Sequence, residues 1–558
     1  MTDFFQDPPA FSNTYQEDRL LQAFIKWRMP AEFYSMVNED LMSLGNKACG
    51  EFLDLAREAQ RDLPEHIPFG AWGHRQDQLK MSQAWDKLHR ISAEEGMVAI
   101  GYAREQGSWS RLYQFAKLYL FHPSSAFYTC PLAMADGAAR VMEVYASSSV
   151  RDRFYPRLTT RDPNQFWTSG QWMSEKTGGS DVGRTETIAK ETGNGNFELH
   201  GTKWFCSATT SKMALGLGRP EGAVPGSKGL SLFAMEVFDQ EGNFDRVRVL
   251  RLKDKMGTKA LPTAELELHG IPAVMVGNPG QGVKTVATML NITRMYNSIC
   301  AVGQCARIFQ IARDFSRRRE AFGQVLREHS LHVDTLADFY AWWSLGTVLT
   351  LELAHLLGRD ETGDASEGEK AVLRLLTPVV KLYTGKLAVA FTSELLECFG
   401  GAGYMEDTEI PILFRDAQVF PIWEGTTNVL SLDVLRVLRN PENLELYFVE
   451  IQEKLKKVTG LKEERAWVEK ALMNLQSHVA WMKSASEDEV QAGARSLAWT
   501  LGQIFAAATL LEMAEGVSDP GLKNWVALLA RRLKSRPLAP LTTPTTEEIK
   551  AGEDLIMF

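Results

Sequence analysis

The chain has 558 residues, 45% of them hydrophobic and 23% charged, with 70 acidic against 61 basic side chains and a net charge of −9. At ~100–200 residues per domain this implies three or four domains, and the composition excludes a disordered or fibrous chain. The acidic balance excludes a general electrostatic pull towards nucleic acid or an anionic membrane. Six cysteines (Cys49, Cys130, Cys206, Cys300, Cys305, Cys398) are scattered with no C-x-x-C pair, so they read as reduced thiols of a cytoplasmic protein. The N-terminus, MTDFFQDPPAFSNTYQEDRL, has the character of neither a signal nor a transit peptide.

From about residue 14 to 160 the pattern is helical, with loops expected at GNKACG, LPEHIPFGAWGH and FHPSSAFYTCP. Around Trp167 it changes to short alternating runs. ETIAKETGNGNFELHGTKWFCSAT carries a Gly-Asn-Gly-Asn turn, and LSLFAMEVF, FDRVRVLRL and TAELELHGI follow, which predicts a β-barrel or sandwich of about 110 residues. Helices return over 283–318, 329–358, 368–399 and 426–438, the third with a bend expected at Pro378. The break at RNPEN opens a further block of amphipathic helices up to about 535. The most apolar stretches, YAWWSLGTVLTLELAHLLG and SLAWTLGQIFAAATLLEMAEG, carry Glu, His or Gln and read as core helices rather than membrane spans.

Five segments bear on chemistry. GQWMSEKTGGSDV (170–182) can bring backbone amides and the hydroxyls of Ser174 and Ser180 against a polar ring or a phosphate, although a Gly-Gly-Ser turn alone is an ordinary loop. In HGTKWFCSAT (200–209), Phe205 can pack on a flat ring and Ser207 can donate to its edge. In RRREAFGQVLREHSLHVDTLADF (317–339), Arg319 suits an anion such as a pyrophosphate, against the simpler reading of a solvated basic helix end. His329 and His332 lie three apart there, but no third metal ligand accompanies them. FGGAG (399–403) ends a helix and permits close backbone approach to a ligand. PIWEGTTNV (421–429) sets Glu424 beside Ile422 and Trp423, where desolvation would make it a proton acceptor; the plain alternative is a helix start with a threonine cap.

These five segments, in this order over about residues 165 to 440 and joined by KDKMGTKALPTAELELHGIPA and GQGVKTVATMLNITRMYNSICAVG, resemble the acyl-CoA dehydrogenases. The long N-terminal arm and the extra block after residue 440 narrow the resemblance to the AidB-like branch. It implies a mostly α, α+β fold: an N-terminal helical domain (1–165), a central β-domain (166–278), a helical FAD and catalytic domain (279–440), and an additional C-terminal helical domain (441–558).

The resemblance implies FAD lying between the β-domain and the helical domain behind it. Gln171, Met173, Ser174 and Ser180 would line the flavin and its phosphate arm, and Phe205 and Ser207 its ring edge. Arg319, Phe322, Gly400 and Gly401 would reach the FAD of a neighbouring subunit, so a homotetramer is expected, and Thr426 and Asn428 would also face flavin. Glu424 would remove the proton next to the thioester carbonyl of an acyl-CoA, with its own backbone N–H in the oxyanion hole. Arg294 is what remains of an Asp-x-x-Arg pair holding the substrate end, its partner position being Asn291, and Glu397 stands where the family's loop has a glutamine. Trp342 and Trp343 are bulky enough to restrict the region behind the site. An electron-transfer flavoprotein is the acceptor the family implies.

The alternative is an AidB-like flavoprotein of weak or no turnover that binds DNA or a fatty-acyl ligand. Residues 441–558 hold 14 Lys and Arg against 17 Asp and Glu, which disfavours a DNA grip. One local basic cluster, ARRLKSRP (530–537), reads as a solvated helix end suited to the helix dipole.

Overall fold

The computed structural model describes residues 7–10, 12–538 and 541–557. The expectations for the first six residues and Phe11 lie outside that range. The chain forms two units: one takes in Gly50–Glu105 and Phe121–Tyr296, the other the chain up to Cys49, Gln106–Leu120 and Asn297 onward.

In the first unit, LPEHIPFGAWGH is not a loop but most of an antiparallel hairpin, β1 (Glu65–Phe69) and β2 (Arg75–Lys80). It is pinned by the buried Asp77 carboxylate, which takes bonds from Arg75 (2.7 Å) and the Val249 N–H (3.3 Å) and lies 2.8 Å from the His66 ring. Prolines and glycines masked the alternation in the sequence. The seven strands that follow are β3 (Ser169–Trp172), β4 (Ile188–Gly193), β5 (Asn196–Ser207), β6 (Met213–Pro220), β7 (Ser231–Glu236), β8 (Val247–Leu252) and β9 (Thr263–Val276). Strands β6, β4, β5, β9 and β7 pair in a closed circuit, β7 returning to β6, with β3 added on β6 and β8 on β9. Closure leaves those five strands without a bare edge, which decides for a barrel over an open sandwich. Trp172, Phe197, Leu199, Phe233, Met235, Leu266 and Ile271 fill the interior.

The second unit is helical. GNKACG is not a loop, because helix Ala31–Cys49 runs through it; a Cβ on Gly45 would lie 2.2 Å from Asn13 Oδ1, so glycine there admits the N-terminal arm. That arm is docked, with the Ala10 N–H on Asp314 (2.8 Å) and Gln310 on the Thr14 carbonyl (2.9 Å). Helices Ser330–Thr362 and Glu367–Glu397 are buried along most of their length, and the second continues through Pro378. Trp343 is a core residue donating to the Val302 carbonyl (2.9 Å).

After Thr427–Leu438 come Pro441–Lys456, Lys462–Met482, Glu487–Gly516 and Pro520–Lys534. Helix Glu487–Gly516 is long and apolar enough to cross a membrane, yet 94% of its most apolar window is buried inside the protein. The basic cluster at 530–537 is not simply solvated. Arg532 pairs with Asp334 (2.7 Å) and Asp338 (2.6 Å), Arg536 with Asp338, and Lys534 with Glu463 and Glu464. These cations tie their helix to two others.

Candidate functional site

In the first unit, β3 runs parallel to β6 and places Gln171 opposite Leu215. The Gln171 Oε1 atom is buried without a hydrogen-bond partner among the described residues, a cost that a donor from a ligand or a water would remove. Met173 is buried and Ser174 half-buried, while Ser180 is exposed at the loop tip. The Ser174 carbonyl accepts from the Trp204 N–H at 2.9 Å, joining this loop to β5.

Between Lys203 and Cys206 the pairing of β5 with β9 slips by one residue. This bulge carries Trp204 and Phe205 and turns Phe205 outward, 56% exposed. Lys253 Nζ sits 3.4 Å from the centroid of the Trp204 ring and 4.9 Å from that of Phe205. Ser207 shares a 3.0 Å hydrogen bond with Thr263, whose hydroxyl also accepts from Lys255 at 3.2 Å. Arg294 is half-buried on the part of the Gly282–Arg318 helix that falls in this unit, and Asn291 is exposed.

Two residues passed over inside the quoted motifs hold this wall together. Glu175 is buried and accepts from Lys203 Nζ (2.7 Å), Thr187 Oγ1 (2.6 Å) and the backbone N–H groups of Glu186 (2.6 Å) and Thr187 (3.3 Å). Burial alone would push the Glu175 carboxyl up, but Lys203 and these donors hold it below the usual range. Burial draws the Lys203 amine down from its ordinary value, against the pull of Glu175. The signal was available: an acid in one motif and a lysine directly before the apolar run Trp204–Cys206.

In the second unit, the Glu367–Glu397 helix is capped by Cys398 and followed by Phe399, which is buried. Gly403 is demanded by the protein itself, since a Cβ there would meet the Leu396 carbonyl at 2.1 Å, and Gly400 has φ +58°. Gly401 has neither reason: nothing lies within 4 Å of its added Cβ. Its bareness suits the close approach of another molecule. Glu397 is exposed, and burial together with Glu394 and Glu397 pushes the Cys398 thiol up to about 12, so it is no nucleophile at neutral pH.

After Arg319 the chain makes a two-residue hairpin, Glu320–Ala321 with Gln324–Val325. Its turn residues Phe322 (φ +52°) and Gly323 (φ +83°) form a type I′ turn, and Phe322 is 98% exposed. An aromatic side chain in left-handed backbone, almost wholly in solvent, is strained, and its one ring contact among those described is the His329 ring, edge-on at 6.3 Å. His329 is structural here, its ring 3.0 Å from the Ala321 carbonyl.

Glu424 also has left-handed backbone, φ +57°, followed by Gly425 at φ +106°. Trp423 donates its indole N–H to Asn297 Oδ1, and Lys381 Nζ donates to the Gly425 carbonyl. Thr426 is the N-cap of helix Thr427–Leu438, as the plain reading expected, yet its hydroxyl makes no capping bond. Thr426 and Asn428 are exposed and Glu424 is half-buried. Ile422 is 61% exposed, so it does not provide the apolar cover expected beside Glu424.

The expected site residues fall in both units. Gln171, Met173, Ser174, Ser180, Phe205, Ser207 and Arg294 belong to the first, and Arg319, Phe322, Gly400, Gly401, Glu424, Thr426 and Asn428 to the second. The first offers a buried, unmet acceptor and an outward aromatic ring; the second offers a carboxylate on left-handed backbone and a bare glycine loop.

Four family descriptions match the chain in succession: the adaptive response protein AidB N-terminal domain over residues 6–164, the acyl-CoA dehydrogenase middle domain over 170–271, the acyl-CoA dehydrogenase C-terminal domain over 280–438, and an acyl-CoA dehydrogenase 11 C-terminal domain-like region over 442–551. Acyl-CoA dehydrogenase family member 11 of Caenorhabditis elegans is 41% identical, over 99% of this chain and 92% of the relative. The crystal structure of ACDH-11 from that organism in complex with C11-CoA superposes with a TM-score of 0.96 at 40% identity, covering 100% of this chain and 97% of that one. Putative acyl-CoA dehydrogenase AidB of Escherichia coli is 31% identical over 71% of this chain and 73% of its own length.

Proposed function

The chain belongs to the acyl-CoA dehydrogenase family, in its AidB-like branch, and on that premise we propose how its own residues carry an oxidation of acyl-CoA thioesters. Glu424 is the base: its carboxylate takes the proton from the carbon next to the thioester carbonyl. The left-handed backbone of Glu424 carries this reading, because such strain in a non-glycine residue persists where the surroundings impose it and gathers at functional sites. Its backbone N–H polarises the thioester oxygen, since an α-proton becomes removable only as the developing enolate is stabilised. Arg294 takes the substrate's polar end.

FAD, the family's usual cofactor, supplies the hydride acceptor when bound. The residues present fit it. Gln171 offers a buried acceptor awaiting a donor, Phe205 an outward ring, Ser174, Ser180 and Ser207 hydroxyl donors, and Gly400 and Gly401 an open backbone. Met173 would shield a ring face, Thr426 and Asn428 at their helix start would face flavin as well, and Arg319, with Gly400 and Gly401, would reach the FAD of a neighbouring copy. The exposed Phe322 fits a contact with a neighbouring copy, in keeping with assembly as a homotetramer, and an electron-transfer flavoprotein is the acceptor this reading takes.

The test is anaerobic mixing of the FAD-loaded protein with a panel of acyl-CoAs, beginning with C11-CoA because a close relative was solved with it. Flavin absorbance is expected to bleach, and Glu424→Gln to slow bleaching by about 10²–10⁴-fold. Bleaching at an unchanged rate in that variant would remove Glu424 from the role.

A further inference from the structure

Lys381 and Lys386 stand five residues apart on the Glu367–Glu397 helix, and only Lys386 is exposed. Lys381 lies in LRLLTPVVKLYTG, at a position the helix buries completely. A lysine amine withdrawn from water is costly unless acceptors meet it. One acceptor is the carbonyl of Gly425, the residue directly after Glu424. The same helix is shaped to receive this segment: a Cβ on Gly385 would lie 2.9 Å from the Phe420 carbonyl oxygen and 3.1 Å from Pro421 N. Trp423 is tied to Asn297, and a Cβ on Gly425 would press on Leu430 Cδ2 at 3.0 Å. Segment 420–425 is therefore fixed before Glu424 by Gly385 and Asn297, and after it by Lys381.

We propose that Lys381 is a positioning residue for the reaction: by holding the Gly425 carbonyl it keeps Glu424 in the left-handed turn that aims its carboxylate. The inference rests on the reading of Glu424 as base. A methionine at 381 fills nearly the same volume but leaves Gly425 without this donor, and Glu424 then relaxes to ordinary backbone. A displacement of about 1 Å in a reacting group lowers turnover by about 100-fold while leaving substrate binding in place.

The experiment compares wild type, Lys381→Met, Lys381→Gln, Glu424→Gln and the Lys381→Met/Glu424→Gln double variant, all FAD-loaded, by anaerobic bleaching with C11-CoA. Expected are a kcat about 100-fold lower in either Lys381 variant with KM and FAD content little changed, and a double variant no slower than Glu424→Gln alone, because Lys381 acts through Glu424. A Lys381→Met enzyme that bleaches as wild type, or a double variant slowed by the product of the two effects, overturns the proposal. Wild-type bleaching in Glu424→Gln instead overturns the base assignment. A crystal structure of the wild-type holoenzyme decides the matter even where neither Lys381 variant folds: a Lys381 amine turned away from the Gly425 carbonyl, or Glu424 at negative φ, sinks it.

Discussion

At the scale of single residues, function shows where a residue is unaccounted for by the fold. Left-handed backbone at Glu424 costs about 1–3 kcal/mol, and a hydrogen bond from a charged donor such as Lys381 returns about 1.5–3 kcal/mol; the two are of the same order, so such a bond can offset such strain. Gly401 is the opposite case, a glycine with no steric or conformational need within the chain. Gly401→Ala is expected to leave the thermal stability of the apoprotein unchanged while weakening FAD about tenfold, or ~1.4 kcal/mol, as read by flavin titration; equal binding would mean that nothing approaches this loop.

Glu175 serves stability rather than chemistry. Its carboxyl is held below the usual glutamate range, so its contribution is fully present above about pH 4.3 and is lost as pH falls through the lower folded value. Glu175→Gln leaves Lys203 buried without its counter-charge, and a loss of about 3–5 kcal/mol is expected at pH 7. Denaturant unfolding from pH 7 to pH 3 should show a smaller acid loss in the variant than in wild type.

Among elements, the N-terminal helix, the core and the additional C-terminal helices meet at one buried cluster. Arg28, on Arg19–Arg28, pairs with Glu352 (2.6 Å) and Glu512 (3.3 Å); Lys454 joins the same two acids at 2.8 and 2.9 Å, and Lys457 reaches Glu512 at 2.7 Å. Burial would raise the Glu352 carboxyl, but Arg28 and Lys454 hold it far below its ordinary range. Glu352→Gln leaves Arg28 and Lys454 short of a counter-charge, and a cost of about 3–5 kcal/mol is expected. Hydrogen exchange should show helix Arg19–Arg28 released first; uniform protection would mean that the cluster is not what docks it. The same scale explains two corrections. Helix Ala31–Cys49 absorbs GNKACG because Gly45 serves a contact with Asn13, and the 65–80 hairpin is held by Asp77, a contact 172 residues away in sequence from Val249.

For the whole molecule, charge speaks against DNA. The C-terminal region is net acidic, and Arg532, Lys534 and Arg536 are engaged by Asp334, Asp338, Glu463 and Glu464. Fluorescence anisotropy with duplex DNA is expected to give weak binding whose log–log salt slope is no steeper than about −2, the mark of about two phosphate contacts. A slope near −6 would revive the binding-protein reading.

The sequence by itself determined the family, the order of helical and β-rich regions, and the positions of the motif residues, because glycine turns, hydrophobic period and short motifs are local properties of the chain. The four long helices from residue 283 to 438 lie within a few residues of their expected limits for that reason. Only the tertiary structure decided that the β-strands close into a barrel, that Glu175 meets Lys203, and that Lys381 reaches Gly425. Each of these joins residues distant in sequence, and burial gives a lysine in an apolar stretch of helix a meaning that its neighbours in the chain cannot.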